Sequence, residues 1–221
     1  MVKGFFVAVC LLAGTTSLGY AADLLQTSQA SVGNQVYSGV GVRFDVLSPV
    51  TIDALGLYDS GQDGFLADPT APLSAYLLSA PFWPAGPTTT IASITFDSIS
   101  QGTLDPGTNY RFKSIIPVTL VPGEYVLAGY GWTAADPEHN CNVGGSCDIF
   151  NNGGGALQYL GSPFGAGADA GGTLPNTECC GNSDFFSAAN MSFAVPEPAS
   201  FALLGAALCG LGVIRRRRVL A

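Results

Sequence analysis

Val40, Val42, Phe44 and Val46 alternate with Gly41, Arg43 and Asp45. That period of two marks a strand with one face buried. After a break at Ser48-Pro49, residues 51–58 are rich in β-forming side chains. Short apolar runs at 73–78 and 91–96 predict two more strands. They are separated by Pro81, Pro84 and Pro87, which lack the N–H that a sheet ladder needs. Further runs follow at 110–116, 117–120 and 124–130. Pro122-Gly123 between the last two reads as a hairpin turn, with φ preset at proline and permissive at glycine. Residues 185–195 read as a final strand, ended by Pro196. Strands at this spacing, with no helical periodicity between them, predict an all-β chain. The expected architecture is a single antiparallel β-sandwich of jelly-roll or immunoglobulin-like type.

The alternation lapses from about 136 to 184. Eleven glycines fall between Cys141 and Asp184, with few β-branched residues among them. This predicts a long irregular loop, which a compact domain holds when the loop is functional or cross-linked.

Two apolar runs lie outside the β pattern. Lys3 precedes an apolar stretch from Phe5 to about Ala13, and Gly19 and Ala21 stand at −3 and −1 of a cut before Ala22. Residues 1–21 thus read as a secretory signal helix, too short for a permanent span. Cys10 follows Val9 rather than a small residue, which argues against a lipoprotein signal. At the other end, Val195-Pro196-Glu197-Pro198 leads into a transmembrane helix predicted over 199–214, with no charge from Phe201 to Ile214. Arg215, Arg216, Arg217 and Arg218 then act as a stop-transfer cluster that holds the C-terminus in the cytoplasm. The run is shorter than the roughly 20 residues that a lasting span prefers, and Gly205, Gly210 and Gly212 weaken it as a helix. The domain organisation is therefore signal 1–21, β domain 22–194 and tail 195–221.

The Pro-Glu-Pro triad, the apolar run and the arginine cluster together resemble the PEP-CTERM sorting signal of Gram-negative bacteria. The resemblance implies an exosortase, a membrane transpeptidase with a catalytic cysteine, as the enzyme that cuts at the motif. It also implies the secretion machinery as a partner and an association with exopolysaccharide. The precursor would sit in the inner membrane, and the mature form at the cell surface or outside the cell. The same signature is sometimes labelled an ice-binding protein C-terminal motif, which describes the tail and not an activity. A second resemblance is softer. Ala54-Leu55-Gly56-Leu57-Tyr58-Asp59-Ser60-Gly61-Gln62-Asp63-Gly64-Phe65, then Tyr76-Leu77-Leu78, Arg111-Phe112 and Pro117-Val118-Thr119-Leu120-Val121-Pro122-Gly123-Glu124-Tyr125, look like an exported β-sandwich module that often carries this tail. It implies no activity.

Composition changes the picture once the ends are set aside. The whole chain is 48% hydrophobic and only 11% charged, with a net charge of −8. Residues 22–195 hold Arg43, Arg111 and Lys113 against fifteen acidic residues, a net charge of −12. Such a surface repels phosphate and excludes nucleic acid as a partner. It suits cations and neutral glycans.

Four cysteines remain in that region: Cys141, Cys147, Cys179 and Cys180. In an exported chain an even count predicts two disulfides. A vicinal Cys179–Cys180 ring is strained, which leaves the two patterns that join 141 and 147 to that pair. A zinc site is the alternative, although no Cys-x-x-Cys occurs. Asp59-x-Gly61-x-Asp63-Gly64, with Asp68 beyond it, has two readings: a strand-to-strand turn, and a loop whose carboxylates hold calcium. It departs from the EF-hand pattern at Gly61 and Thr70. Trp83 and Trp132 read either as lids on the core or as platforms that stack on sugar rings.

His139, the only histidine, reads as a surface-loop residue, and no Gly-x-Ser-x-Gly elbow offers it a nucleophile. A carboxylate pair of glycosidase type needs only a spacing in three dimensions, so a hydrolase stays open. Thr88-Thr89-Thr90 is one run, not the repeated array that an ice-binding face needs. The leading expectation is a non-enzymatic, exported surface or matrix protein without a cofactor. A glycan-binding module, with or without calcium, is the alternative.

Overall fold

The computed structural model describes residues 21–26, 33–37, 39–105, 107–140, 148–165, 174–179 and 186–196. All lie in one compact unit, Tyr20–Pro196. The signal segment up to residue 20, the helix predicted over 199–214, Glu197, Pro198, the four arginines, and Cys141, Cys147 and Cys180 lie outside the described residues. Among those described, no helix is long and apolar enough to cross a membrane.

The chain is all-β, with two main antiparallel sheets. The first has the order β1 (Ala22–Asp23), β15 (Ala189–Ala194), β4 (Val50–Tyr58), β8 (Tyr110–Leu120) and β7 (Thr103–Leu104). The second has the order β13 (Thr177–Cys179), β12 (Leu157–Phe164), β3 (Val40–Val46), β9 (Gly123–Tyr130), β5 (Leu73–Ser79) and β6 (Thr89–Phe96). Two short ribbons pair β2 (Leu25–Gln26) with β11 (Ile149–Phe150), and β10 (His139–Asn140) with β14 (Phe186–Ser187).

Both sheets contribute to one apolar core. Val40, Val42, Phe44 and Val46 are at most 1% exposed, whereas Arg43 and Asp45 between them are half-buried. Phe44, Leu77 and Leu127 from the six-stranded sheet are as fully buried as Ile52, Leu57 and Phe193 from the five-stranded one. Each such side chain contributes about 1.5–3 kcal/mol through its removal from water.

Three expectations are corrected. Residues 117–130 do not form a hairpin: β8 pairs with β4 and β7, whereas β9 pairs with β3 and β5. Pro122-Gly123 is the crossing between the sheets, and a turn dipeptide specifies a reversal without specifying the pairing. Residues 110–116 and 117–120 form one strand, not two. Pro117 is accommodated because the β4–β8 register shifts around Asp53, between the pairs Ile52↔Val118 and Ala54↔Ser114. The stretch 136–184 is not wholly irregular either, since β12 lies within it and pairs with both β3 and β13. Gly161 and Pro163 hide that strand from a propensity reading. At Gly161 the Glu178 carboxylate occupies the space that a Cβ would fill.

Candidate functional site

The C-terminal end of the domain is built by β15, which lies between β1 and β4. Met191 and Phe193 point into the core, and Asn190 is fully buried. The Asn190 side chain accepts from the N–H of Leu25 at 2.9 Å and donates to its carbonyl at 2.8 Å, which fastens the N-terminal segment to this strand. Ala22 stands opposite Phe193 and Asp23 opposite Ser192. Because the pairing is antiparallel, the chain enters β1 and leaves β15 at the same end of the sheet. Ala194 ends the strand, Val195 is half-buried and Pro196 is exposed. The predicted processing motif therefore begins at the residue that leaves the sheet, with no linker between motif and fold.

Residues 194–218 match the PEP-CTERM protein-sorting motif. The chain carries a PEP-CTERM sorting motif. The match spans the last residue of β15, the Pro-Glu-Pro triad, the apolar run and the arginine cluster. PEP-CTERM proteins are exported, held transiently in a membrane and processed by an exosortase, and the motif supports that course for this chain. No curated protein and no solved structure matches the chain.

The loop after β4 is the sharpest chemical candidate in the sequence, and two of its carboxylates, Asp59 and Asp68, are engaged within the fold. Asp59 is 1% exposed. It pairs with Nε of Arg111 at 2.5 Å and accepts from the N–H of Gly64 at 3.1 and 3.2 Å. Asp136, from the far side of β9, accepts from the N–H of Leu66 at 2.9 and 3.1 Å. Two buried carboxylates thus hold the loop through its own backbone. Burial, the leading cause, raises the Asp136 pKa, and nearby Asp59 and Asp63 add to the rise. Asp63 itself is exposed. Asp68, also exposed, closes a turn on the N–H and hydroxyl of Thr70, both at 2.7 Å, and these bonds lower its pKa. Asp59, Asp63 and Asp68 are not brought together as a cage. Among the described residues no group of three His, Cys, Asp or Glu side chains could hold a metal ion.

The tryptophans part company. Trp132 is 6% exposed and belongs to the core, so it presents no face to a sugar. Sequence proximity to Gly131 could not show that its indole packs over Gly129. Trp83 lies over the outer face of the six-stranded sheet. The Arg43 guanidinium stacks on its ring at 4.2 Å, and its Nε1 donates to the Pro175 carbonyl at 2.8 Å. Arg43 also pairs with Glu124 at 3.0 Å and Glu178 at 3.3 Å. Cys179, next to Glu178, is not a free thiol.

Two groupings had no signal in the sequence. A groove of about 460 Å³ on the five-stranded sheet is lined by Asp23, Asp53 and Asp105 beside Phe112 and Ser114. Burial, then Asp105 and Asp53, push the Asp23 carboxyl up to about 7. These residues are far apart along the chain, and only the β1–β15–β4–β8 order gathers them. The second grouping lies at β10. Glu138 and His139 are at most 1% exposed, and among the described residues neither carboxylate oxygen nor ring nitrogen has a hydrogen-bond partner. Burial raises the Glu138 pKa to about 8 and lowers that of His139, whose ring is 5.9 Å from Tyr58. The surface reading of His139 is thus corrected. The segment is strapped inward by backbone pairing between Gln35 and Glu138. Nearby, Asp148 accepts from Tyr110 at 2.5 Å and Ser187 at 2.7 Å.

Proposed function

We propose that this chain is a non-enzymatic surface or extracellular-matrix protein, exported, held in the inner membrane by its tail and released by an exosortase-type cut at Pro196-Glu197-Pro198. Its mature β domain then works at the cell surface or in the surrounding exopolysaccharide, without a cofactor. The observation that carries this reading is the sorting motif beginning where β15 leaves the sheet. A fold completed by its last strand can be released intact by a cut just beyond it. Two disulfides among Cys141, Cys147, Cys179 and Cys180 would tie the glycine-rich stretch to the β13 region in that oxidising setting.

The test is to replace Pro196-Glu197-Pro198 with three alanines in the full chain. The expected outcome is an unprocessed precursor that stays in the inner-membrane fraction, while the wild type yields a shorter product by intact mass. A wild-type mature form that still contains Arg215–218 overturns the processing claim.

A glycan-binding role is the second reading. It is favoured by Phe82, 64% exposed beside the half-buried Trp83. Arg43 already covers one face of that indole, so a sugar would meet the other. Glycan-array binding by the wild type that is lost in Trp83→Ala supports this role; no binding by the wild type removes it.

A further inference from the structure

We infer that the end of the domain at which β15 leaves the sheet is a membrane-contact surface: while the tail holds the precursor, the turns gathered at that end rest on the lipid headgroups. The inference rests on the membrane-held precursor of the proposed function.

Strand pairing shows which segments meet there. Ala194 stands opposite Thr51, and Val50 opposite Leu120. In the other sheet Val46 stands opposite both Gly123 and Leu157. The N–H of Ala80 donates to the Glu124 carbonyl, which brings the turn after β5 to the same end. The N–H of Leu47 donates to the Ala156 carbonyl, and the Phe193 and Val195 side chains lie against Gly153. Stretches 47–49, 80–88, 121–122, 152–156 and 195–196 therefore form one surface. On it Leu47, Phe82 and Val121 are 52%, 64% and 61% exposed. Phe82 and the half-buried Trp83 beside it add aromatic rings, and tryptophan is a residue that favours a membrane–water boundary.

Chain length selects what this surface meets. Six residues, 195–200, separate Ala194 from the apolar run that begins at Phe201. Fully extended, they reach about 20 Å. β4 runs for nine residues, so the loops at its far end stand about 30 Å from the exit of β15. An inverted domain would need that exit to stand about 30 Å off the bilayer, beyond the reach of the tether. The segment that precedes Ala22 leaves from the same end, because β1 and β15 are antiparallel. Both segments predicted to enter the membrane therefore emerge from this surface.

Charge is polarised along the same axis. The acidic residues gather at the opposite end: Asp59, Asp63 and Asp68 follow β4, Asp97 follows β6, Asp105 follows β7 and Asp136 follows β9. The five stretches at the exit of β15 contain no Asp, Glu, Lys or Arg. A domain of net charge −12 is repelled by anionic lipid wherever it brings carboxylates to the surface. Lying on its five-stranded face, it would bring Asp23 and Asp53; on its six-stranded face, Glu124 and Glu178. Tether and charge thus favour one orientation, and in it the exposed Leu47, Phe82 and Val121 meet the apolar boundary of the headgroups.

The test uses the full chain with its export signals and with Pro196-Glu197-Pro198 replaced by alanines, so that the precursor stays in the inner membrane. Photoreactive benzoyl-phenylalanine replaces Leu47, Phe82 or Val121 in turn, and Leu66 or Ile99, exposed at the opposite end, as comparison sites. All five side chains are exposed, so the core is untouched. Cells are grown on radioactive phosphate, which labels phospholipid, and the precursor is purified after irradiation. The expected result is labelled precursor from positions 47, 82 and 121 and none from 66 and 99. Adding Leu47→Asp and Val121→Asp should lower the label at position 82 several-fold, because two carboxylates then face the headgroups. A membrane-bound precursor with no label at the three positions, with equal label at 66 and 99, or cross-linked there only to protein overturns the inference and leaves the anchoring reading standing. So does label at 82 that the two aspartates leave unchanged. A precursor outside the membrane fraction overturns the anchoring reading and this inference with it.

Discussion

Asp59 shows how a residue's neighbours decide its role. In the sequence it heads an Asp-Gly-rich turn with two readings. In the fold its carboxylate is spent on Arg111 and on the backbone of Gly64. A buried pair of this kind contributes little net stability, because desolvation offsets attraction, but removing one partner leaves an uncompensated buried charge. Arg111→Ala is therefore expected to destabilise the domain by about 3–5 kcal/mol. The midpoint of urea unfolding measures it. An unchanged midpoint would mean that water reaches Asp59 freely. The turn reading was legible in the Asp and Gly spacing, whereas the arginine partner, 52 positions away along the chain, was not.

At the scale of the element, alternation made β3 legible residue by residue, while glycines and prolines hid β12 and the continuity of β8. Glycine has two separable roles here. Gly41 lies in β3, where a Cβ would stand 1.9 Å from the Leu127 carbonyl oxygen of β9. Gly154 lies in a turn at φ +67°, with nothing within 4 Å of the same point. Gly41→Ala must push two paired strands apart and is expected to cost about 1–3 kcal/mol or more. Gly154→Ala meets only backbone strain, about 1–2 kcal/mol. Thermal melts of the two variants should rank Gly41→Ala as the more damaging. The reverse order would place the strand pair in a looser register than Val40↔Gly129 to Val46↔Gly123.

For the whole molecule, buried acids set how stability depends on pH. Glu138 keeps its proton up to about pH 8 in the fold, because burial disfavours the anion. In the unfolded chain it loses that proton near its ordinary value of 4.5. The folded state thus binds more protons across that interval, so stability falls as pH rises through it and levels off above about 8. Asp23, pushed up to about 7, acts in the same direction. Glu138→Gln, which stays neutral, should flatten most of the slope, and urea midpoints at several values between pH 5 and pH 8 would show it. An equally steep profile in the variant would assign the slope to the Asp23 groove.

By itself the sequence determined what local pattern encodes. Alternation and turn residues specify β-strands because side chains on one face of a strand recur every second residue. The motif at 194–218 needs no fold to be read, since it is one contiguous run of residues. Charge separates by region for the same reason: it is additive along the chain. Only the tertiary structure decided which strands pair, that Pro122-Gly123 crosses between sheets, that Trp132 and His139 are buried, and that Asp59 pairs with Arg111. These depend on contacts between distant residues, whose energies arise from desolvation and shape at the meeting point. No property of either segment alone records them. The uncharged turns around the exit of β15 belong to both levels: each is visible in the sequence, but only the strand pairing gathers them at one end.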